Sequence, residues 1–151
     1  MGESGMFGSY EKTLDSKNRL VIPSKFRDEL GETFYITLGF EKSLEFRSKK
    51  SFEEFSNKIS SNNLLDSKMR ELSRYIFANT IEVSSDKLGR VIILDNLLKK
   101  AEIEKDAVIV GVGNKAELWS KEKFEKITNI YENEENIKKL TQELFEKGAV
   151  L

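Results

Sequence analysis

The chain has 151 residues, of which 38% are hydrophobic and 34% charged, with a formal net charge of −1. That is enough apolar material, ten Phe included, for one compact domain or two intimately joined small ones, and too much for a disordered chain. Cysteine and histidine are both absent, which excludes disulfides, thiol nucleophiles, Cys/His zinc centres, imidazole bases and the usual hydrolytic triads.

Residues 1–5 read as a tag or disordered extension, with Met6 as the start of the folded chain. Pattern and turn residues then predict a strand over Phe7–Leu14, a tight turn, a strand over Leu20–Ile22, and a short helix opened by Pro23. Two strands follow, Phe34–Leu38 and Ser43–Arg47, hinged at Gly39. A helix over Lys50–Ile59 presents Phe52, Phe55 and Ile59 on one face. After a helical segment near Asp66–Phe77 the order repeats: strands over Ile81–Ser85 and Val91–Ile93, a helix over Asp95–Ala101, strands over Ala107–Val112 and Lys115–Trp119, and a helix over Lys121–Tyr131. A charged helix near Glu135–Lys147 ends the chain. Phe52, Phe55, Trp119 and Phe124 are read as core or interface residues rather than as a base-stacking platform.

The second half is a copy of the first. Asp15-Ser-Lys-Asn-Arg19 matches Asp86-Lys-Leu-Gly-Arg90 at an offset of 71, each with the form Asp-x-x-x-Arg between an extended segment and a short apolar run. One extra residue between Lys99 and Asp106 raises the offset to 72. Gly39 then falls on Gly111, Glu45 on Glu117, Ser48 on Ser120, Phe52 on Phe124. The chain therefore divides into a first repeat (6–60), a connecting helical segment (61–80), a second repeat (81–131) and a C-terminal helix (132–151). Short strands in tandem units predict a closed β-structure with helices outside.

Charge is distributed unevenly. Lys12, Lys17, Arg19, Lys25 and Arg27 are opposed within their stretch by Asp15 alone, whereas the last helix carries five glutamates between Glu132 and Lys147 against three lysines. One face can thus be basic on a nearly neutral molecule. An Asp four positions before an Arg, with Gly or Asn at the turn, lets the carboxylate accept backbone N–H bonds and hold the guanidinium. Arg19 and Arg90 are then aimed for bidentate contact with guanine in the major groove, with Asp15 and Asp86 orienting them. Lys17 and Lys87 are expected to meet phosphates, with Lys12, Lys25 and Arg27 as weaker candidates for that role. An isolated Asp/Arg pair of this kind would ordinarily be only a turn-stabilising ion pair, contributing about 0–1 kcal/mol. Its duplication amid positive charge, together with the family resemblance set out next, reverses that expectation in favour of DNA contact.

The segment Met6–Arg27, the run Phe77-Ala-Asn-Thr80 leading into Ile81–Arg90, and Val110–Ser120 resemble the signatures of the MraZ family, across nearly the whole chain. The resemblance implies an α+β, mainly β fold: the double-split β-barrel of the AbrB/SpoVT-like superfamily, built from two tandem AbrB-like units with peripheral helices. It further implies a transcription regulator that forms a homo-oligomeric ring. Its partner is then double-stranded DNA carrying direct repeats, upstream of the division and cell-wall gene cluster. Three departures from the family pattern stand out: Asn18 replaces a frequent Gly, Leu94 replaces a frequent Pro, and a common basic residue after Met6-Phe7 is missing.

Carboxylates and lysines alone could still build a glycosidase-like pair or an oxygen-ligand Mg²⁺ site. No carboxylate pair sits in a catalytic motif, so no enzymatic activity, cofactor, metal or small-molecule substrate is expected. No apolar run reaches eighteen residues and no basic-then-apolar leader is present, so neither a membrane span nor a secretory signal is expected, and the expected location is the cytoplasm and nucleoid. The rival readings are a ring-forming structural protein that binds no DNA and an AbrB-like antitoxin. The doubled unit and the ordinary amphipathic tail count against the second.

Overall fold

The computed structural model of the chain describes residues 5–150. Of the N-terminal extension, residues 1–4 lie outside the described part. The elements run β1 (Ser9–Thr13), β2 (Arg19–Val21), α1 (Ser24–Leu30), β3 (Thr33–Leu38), β4 (Leu44–Ser48), α2 (Lys49–Ser60) and α3 (Ser67–Ala78). They continue as β5 (Thr80–Ser84), β6 (Arg90–Ile92), α4 (Asp95–Lys100), β7 (Asp106–Gly111), β8 (Ala116–Ser120), α5 (Lys121–Tyr131) and α6 (Glu134–Glu146). Every expected element is present within a residue or two. Helices occupy more residues than strands, yet the core is built on the sheet, so the architecture is α+β around a β framework.

Strand pairing explains why the two copies form one body. A six-stranded antiparallel sheet has the order β1-β7-β8-β4-β3-β5, and β2 pairs with β6 in a separate two-stranded ribbon. Strand β1 of the first copy finds its partner in β7 of the second, and β5 of the second pairs with β3 of the first. Neither copy can satisfy the backbone of its own first strand, so the halves must fold together. A single cluster holds Leu20, Phe26, Phe34 and Phe46 from one copy with Val91, Ile93, Ile109 and Leu118 from the other. Burying a side chain of this size contributes about 1.5–3 kcal/mol.

The register corrects the sequence alignment of the copies. Thr33 of β3 is matched by Asp106 of β7, an offset of 73, while Leu44 of β4 is matched by Ala116 of β8, an offset of 72. Two extra residues therefore precede β7, not one, and the β7–β8 connection is one residue shorter than the β3–β4 connection. Gly111 thus corresponds to Leu38 and pairs with Ala116 as Leu38 pairs with Leu44. Its missing side chain has a separate cause: a Cβ there would collide with the Met6–Phe7 backbone, which crosses it with Met6 N–H donating to the Gly113 carbonyl at 2.8 Å.

Two of the other matched pairs have shared structural roles. Ser48 and Ser120 both cap helices, their hydroxyls accepting from Ser51 N and Lys123 N at 3.1 Å. Glu45 and Glu117 face each other across β4 and β8 at the centre of the sheet. Like charges placed directly opposite repel, and the cations relieve it: Lys115 Nζ lies 2.9 Å from Glu45 and 3.8 Å from Glu117, and Arg47 lies 2.9 Å from Glu45. Trp119 is buried, with its indole N–H donating to Glu117 Oε1 at 3.1 Å. Phe52 stacks on Tyr35 at 4.2 Å and abuts Phe55 and Phe77. These aromatics are packing residues, as expected of them.

Candidate nucleic-acid interface

Each Asp-x-x-x-Arg segment closes a tight turn between a strand of the main sheet and a strand of the ribbon. In the first, Asn18 N–H donates to the Asp15 carbonyl and Asp15 N–H to the Arg19 carbonyl, at 3.0 and 3.1 Å. The turn requires a left-handed residue in its fourth position, and Asn18 supplies it with φ 59°; Gly89 does so in the second turn with φ 75°. Asn and Gly are the residues that enter this region most readily.

Within the turn the carboxylate works on two sides. Asp15 Oδ1 accepts from Lys17 N and Arg19 N, both at 2.9 Å, while Oδ2 accepts from Arg19 Nε at 2.6 Å. The second copy repeats this: Asp86 Oδ1 accepts from Leu88 N and Arg90 N at 2.9 Å, and Oδ2 from Arg90 Nε at 2.7 Å. These bonds all favour the ionised carboxylate. Led by the backbone N–H of Arg19, then its side chain and the Lys17 N–H, they lower the Asp15 pKa from the ordinary 3.8 to about 2 against some desolvation. Asp86 is lowered for the same reasons, the Arg90 N–H first. The carboxylate engages Nε in both turns, and among the described residues no hydrogen bond or ion pair takes up the Nη groups.

The two turns are tied into one unit. Ile22 N–H donates to the Gly89 carbonyl at 2.9 Å and Ile93 N–H to the Asn18 carbonyl at 3.0 Å, so each turn is fixed by the strand exit of the other copy. Between them, β2 and β6 pair with Arg19 opposite Ile92, Leu20 opposite Val91 and Val21 opposite Arg90. Leu20 and Val91 point inward and are buried. The alternate positions, Arg19, Val21, Arg90 and Ile92, therefore share the outer face. Arg19 and Arg90 line one concavity there together with Val83, Ser84, Ser85, Asp86 and Ile92.

The remaining basic residues separate into two groups. Lys17 and Lys87 are exposed at the turn tips, but in non-equivalent places: the counterpart of Lys17 is Leu88, which is also exposed. Lys25 is exposed on α1. Lys12 is half-buried on the face of β1 that also carries Tyr10 and Leu14. Arg27 is laid over Gly89 with its Nε buried, so it packs against the second turn. Sequence reasoning brought the Asp/Arg pairs together correctly but passed over Val21, Ile92 and Leu88. Period-two alternation around Leu20 and Val91 was the signal that could have placed Val21 and Ile92 outside.

Among the described residues no cluster of three or more carboxylates is placed to hold a metal ion, and no helix is long and apolar enough to cross a membrane. The family model described as "MraZ protein, putative antitoxin-like" matches twice in tandem, over residues 6–75 and 76–147. The chain belongs to the MraZ family. It is 42% identical over 146 residues to the protein named Transcriptional regulator MraZ of Mesomycoplasma hyopneumoniae, covering 97% of this chain and all of that one. It is 44% identical over 143 residues to the protein of the same name from Dictyoglomus thermophilum, covering 93% and 98% of the two chains. The two MraZ matches meet between residues 75 and 76, inside α3 and a few residues before β5, so each holds one copy of the repeat.

Two of the departures from the MraZ pattern are accommodated locally. Asn18 adopts the left-handed backbone of a glycine. Leu94 caps α4 with φ −58° and ψ 135°, nearly the values of Pro23 before α1, and its carbonyl accepts from Leu97 N and Leu98 N as that of Pro23 accepts from Phe26 N and Arg27 N. Pro23 itself thus precedes the first helical residue, Ser24, rather than opening the helix.

Proposed function

We propose that this chain regulates transcription by binding double-stranded DNA in a sequence-specific manner, with the β2–β6 ribbon as the reading element. The observation that carries this reading is the pair of arginines, each aimed by its own carboxylate, on the outer face of one ribbon. A two-stranded ribbon is one of the elements the major groove admits, and a guanidinium whose Nη edge is free can meet the O6 and N7 atoms of guanine. Lys17 and Lys87 at the tips would take phosphates and set the register. The printed name of the relatives, Transcriptional regulator MraZ, supports the same reading. Such a protein acts in the cytoplasm, on the nucleoid.

The proposal includes a homo-oligomeric ring acting on direct repeats upstream of the division and cell-wall gene cluster, as the family resemblance implies. Apolar side chains left uncovered on α5 and α6, among them Ile130, Ile137, Leu144 and Phe145, support self-association. One subunit brings few cations, so its affinity for a single box is modest. A ring makes binding of the second box intramolecular, with gains of roughly 10²–10⁴ where geometry permits. The test is binding to duplexes with two boxes whose spacing is stepped one base pair at a time. Affinity peaks near a whole turn of about 10–10.5 bp and falls near a half turn. A lone box bound as tightly as two, at every spacing, contradicts the ring mechanism.

A further inference from the structure

The outer face of the β2–β6 ribbon carries a pattern that guanine recognition does not use. Val21 is 43% exposed and Ile92 59% exposed, although both are branched apolar residues beside strongly polar neighbours. In the register Ile92 stands opposite Arg19 and Val21 opposite Arg90, so the four side chains form a two-by-two checkerboard of guanidinium and branched hydrocarbon. Single exposed apolar residues are commonplace. Here both copies of the repeat place one in the equivalent position, two residues after the arginine, and the pairing sets each diagonally across the same small face.

We propose that Ile92 and Val21 are specificity-determining residues that contact the C5-methyl group of thymine, so that the ribbon reads a guanine together with a nearby thymine. The inference rests on the DNA-reading role proposed above. Thymine's methyl is the one hydrocarbon group on the major-groove edge of the standard base pairs, as guanine's O6 and N7 form its paired acceptors. Spacing agrees with this assignment. Residues opposite each other on an antiparallel pair are about 4.5–5.5 Å apart at Cβ, and residues two apart on one strand about 6.8 Å. With about 3.4 Å between successive bases of a strand, the methyl read by Ile92 or Val21 falls one or two steps from the guanine read by Arg19 or Arg90.

The experiment begins with duplexes enriched by the full-length protein from a random pool. In the enriched site each thymine is replaced singly by deoxyuridine, which removes only the methyl group, and each guanine by 7-deazaguanine, which removes only the N7 acceptor. Deoxyuridine within two steps of a sensitive guanine weakens binding about fourfold, the factor that ~0.8 kcal/mol for one buried CH₂ gives at 1.4 kcal/mol per tenfold. Ile92→Ala and Val21→Ala each abolish that penalty at their own thymine while leaving the 7-deazaguanine penalty in place. The wild-type measurement alone decides the matter should either variant fold poorly. An enriched site without a thymine in that range, or one bound equally tightly with and without its methyls, overturns the inference while sparing the DNA-reading role. A pool that enriches no sequence overturns both.

Discussion

The side chain of Arg27 covers Gly89 so closely that a Cβ built on the glycine would fall inside the guanidinium group. In the second copy the residue equivalent to Arg27 is Leu98, an apolar side chain buried in the core. This accounts for Asn at position 18 and Gly at position 89 in turns that are otherwise the same. Gly89→Asn is therefore expected to destabilise the protein by more than the ~1–2 kcal/mol of a left-handed non-glycine residue. Asn18→Gly should stay within about 1 kcal/mol of the parent. Thermal unfolding measures both, and combining Gly89→Asn with Arg27→Ala should recover part of the loss.

The turn aspartates make a prediction about pH. Their folded-state pKa values lie below the ordinary 3.8, so their contribution to stability is complete above that value and is lost as pH falls, for Asp15 through about 2. A carbon-detected NMR titration should find the Asp15 carboxylate still ionised at pH 3, whereas a midpoint near 3.8 would show that the turn does not hold it. Asp15→Asn keeps an acceptor for the backbone N–H groups but removes the charge from Arg19. DNA affinity should fall while the fold persists, as read by binding and circular dichroism together.

At the centre of the sheet, Lys115 separates two largely buried glutamates, Glu45 and Glu117. Lys115→Met should cost about 1.5–3 kcal/mol, the range for losing hydrogen bonds to a charged group. Adding Glu45→Gln should restore most of it by removing the repulsion. If the double variant is no more stable than the single one, the facing glutamates are not the source of the loss.

For the lysines at the turn tips the readout is salt. Lys17→Ala and Lys87→Ala should each lower the slope of log affinity against log salt by about one, with base preference unchanged. Lys12→Ala and Arg27→Ala should leave the slope nearly intact, since Lys12 lies on the Tyr10 side of β1 and Arg27 braces Gly89. A changed base preference with an unchanged slope would reassign Lys17 or Lys87 to base reading.

Much of this was legible in the sequence because the copies share local chemistry. Asp15 and Asp86 announce their turns through spacing to an Arg and a residue suited to positive φ, which is a local signal. The non-local features were not legible. The exchange of β1 and β5 between the copies depends on which strand finds which partner, and Arg27 reads like any surface cation until the fold brings Gly89 beneath it. The offset between the copies is hidden from the sequence around Gly111, because two length changes of opposite sign leave the flanking helices in the expected alignment.

The most direct test is the binding of Arg19→Ala and Arg90→Ala to operator and random duplexes, with size-exclusion chromatography alongside. Each variant should keep the parent's elution profile and its weak affinity for random DNA but lose about 1–3 kcal/mol of discrimination for the operator. An arginine variant that folds normally and still selects the operator as well as the parent would contradict the claim that these turns read the sequence.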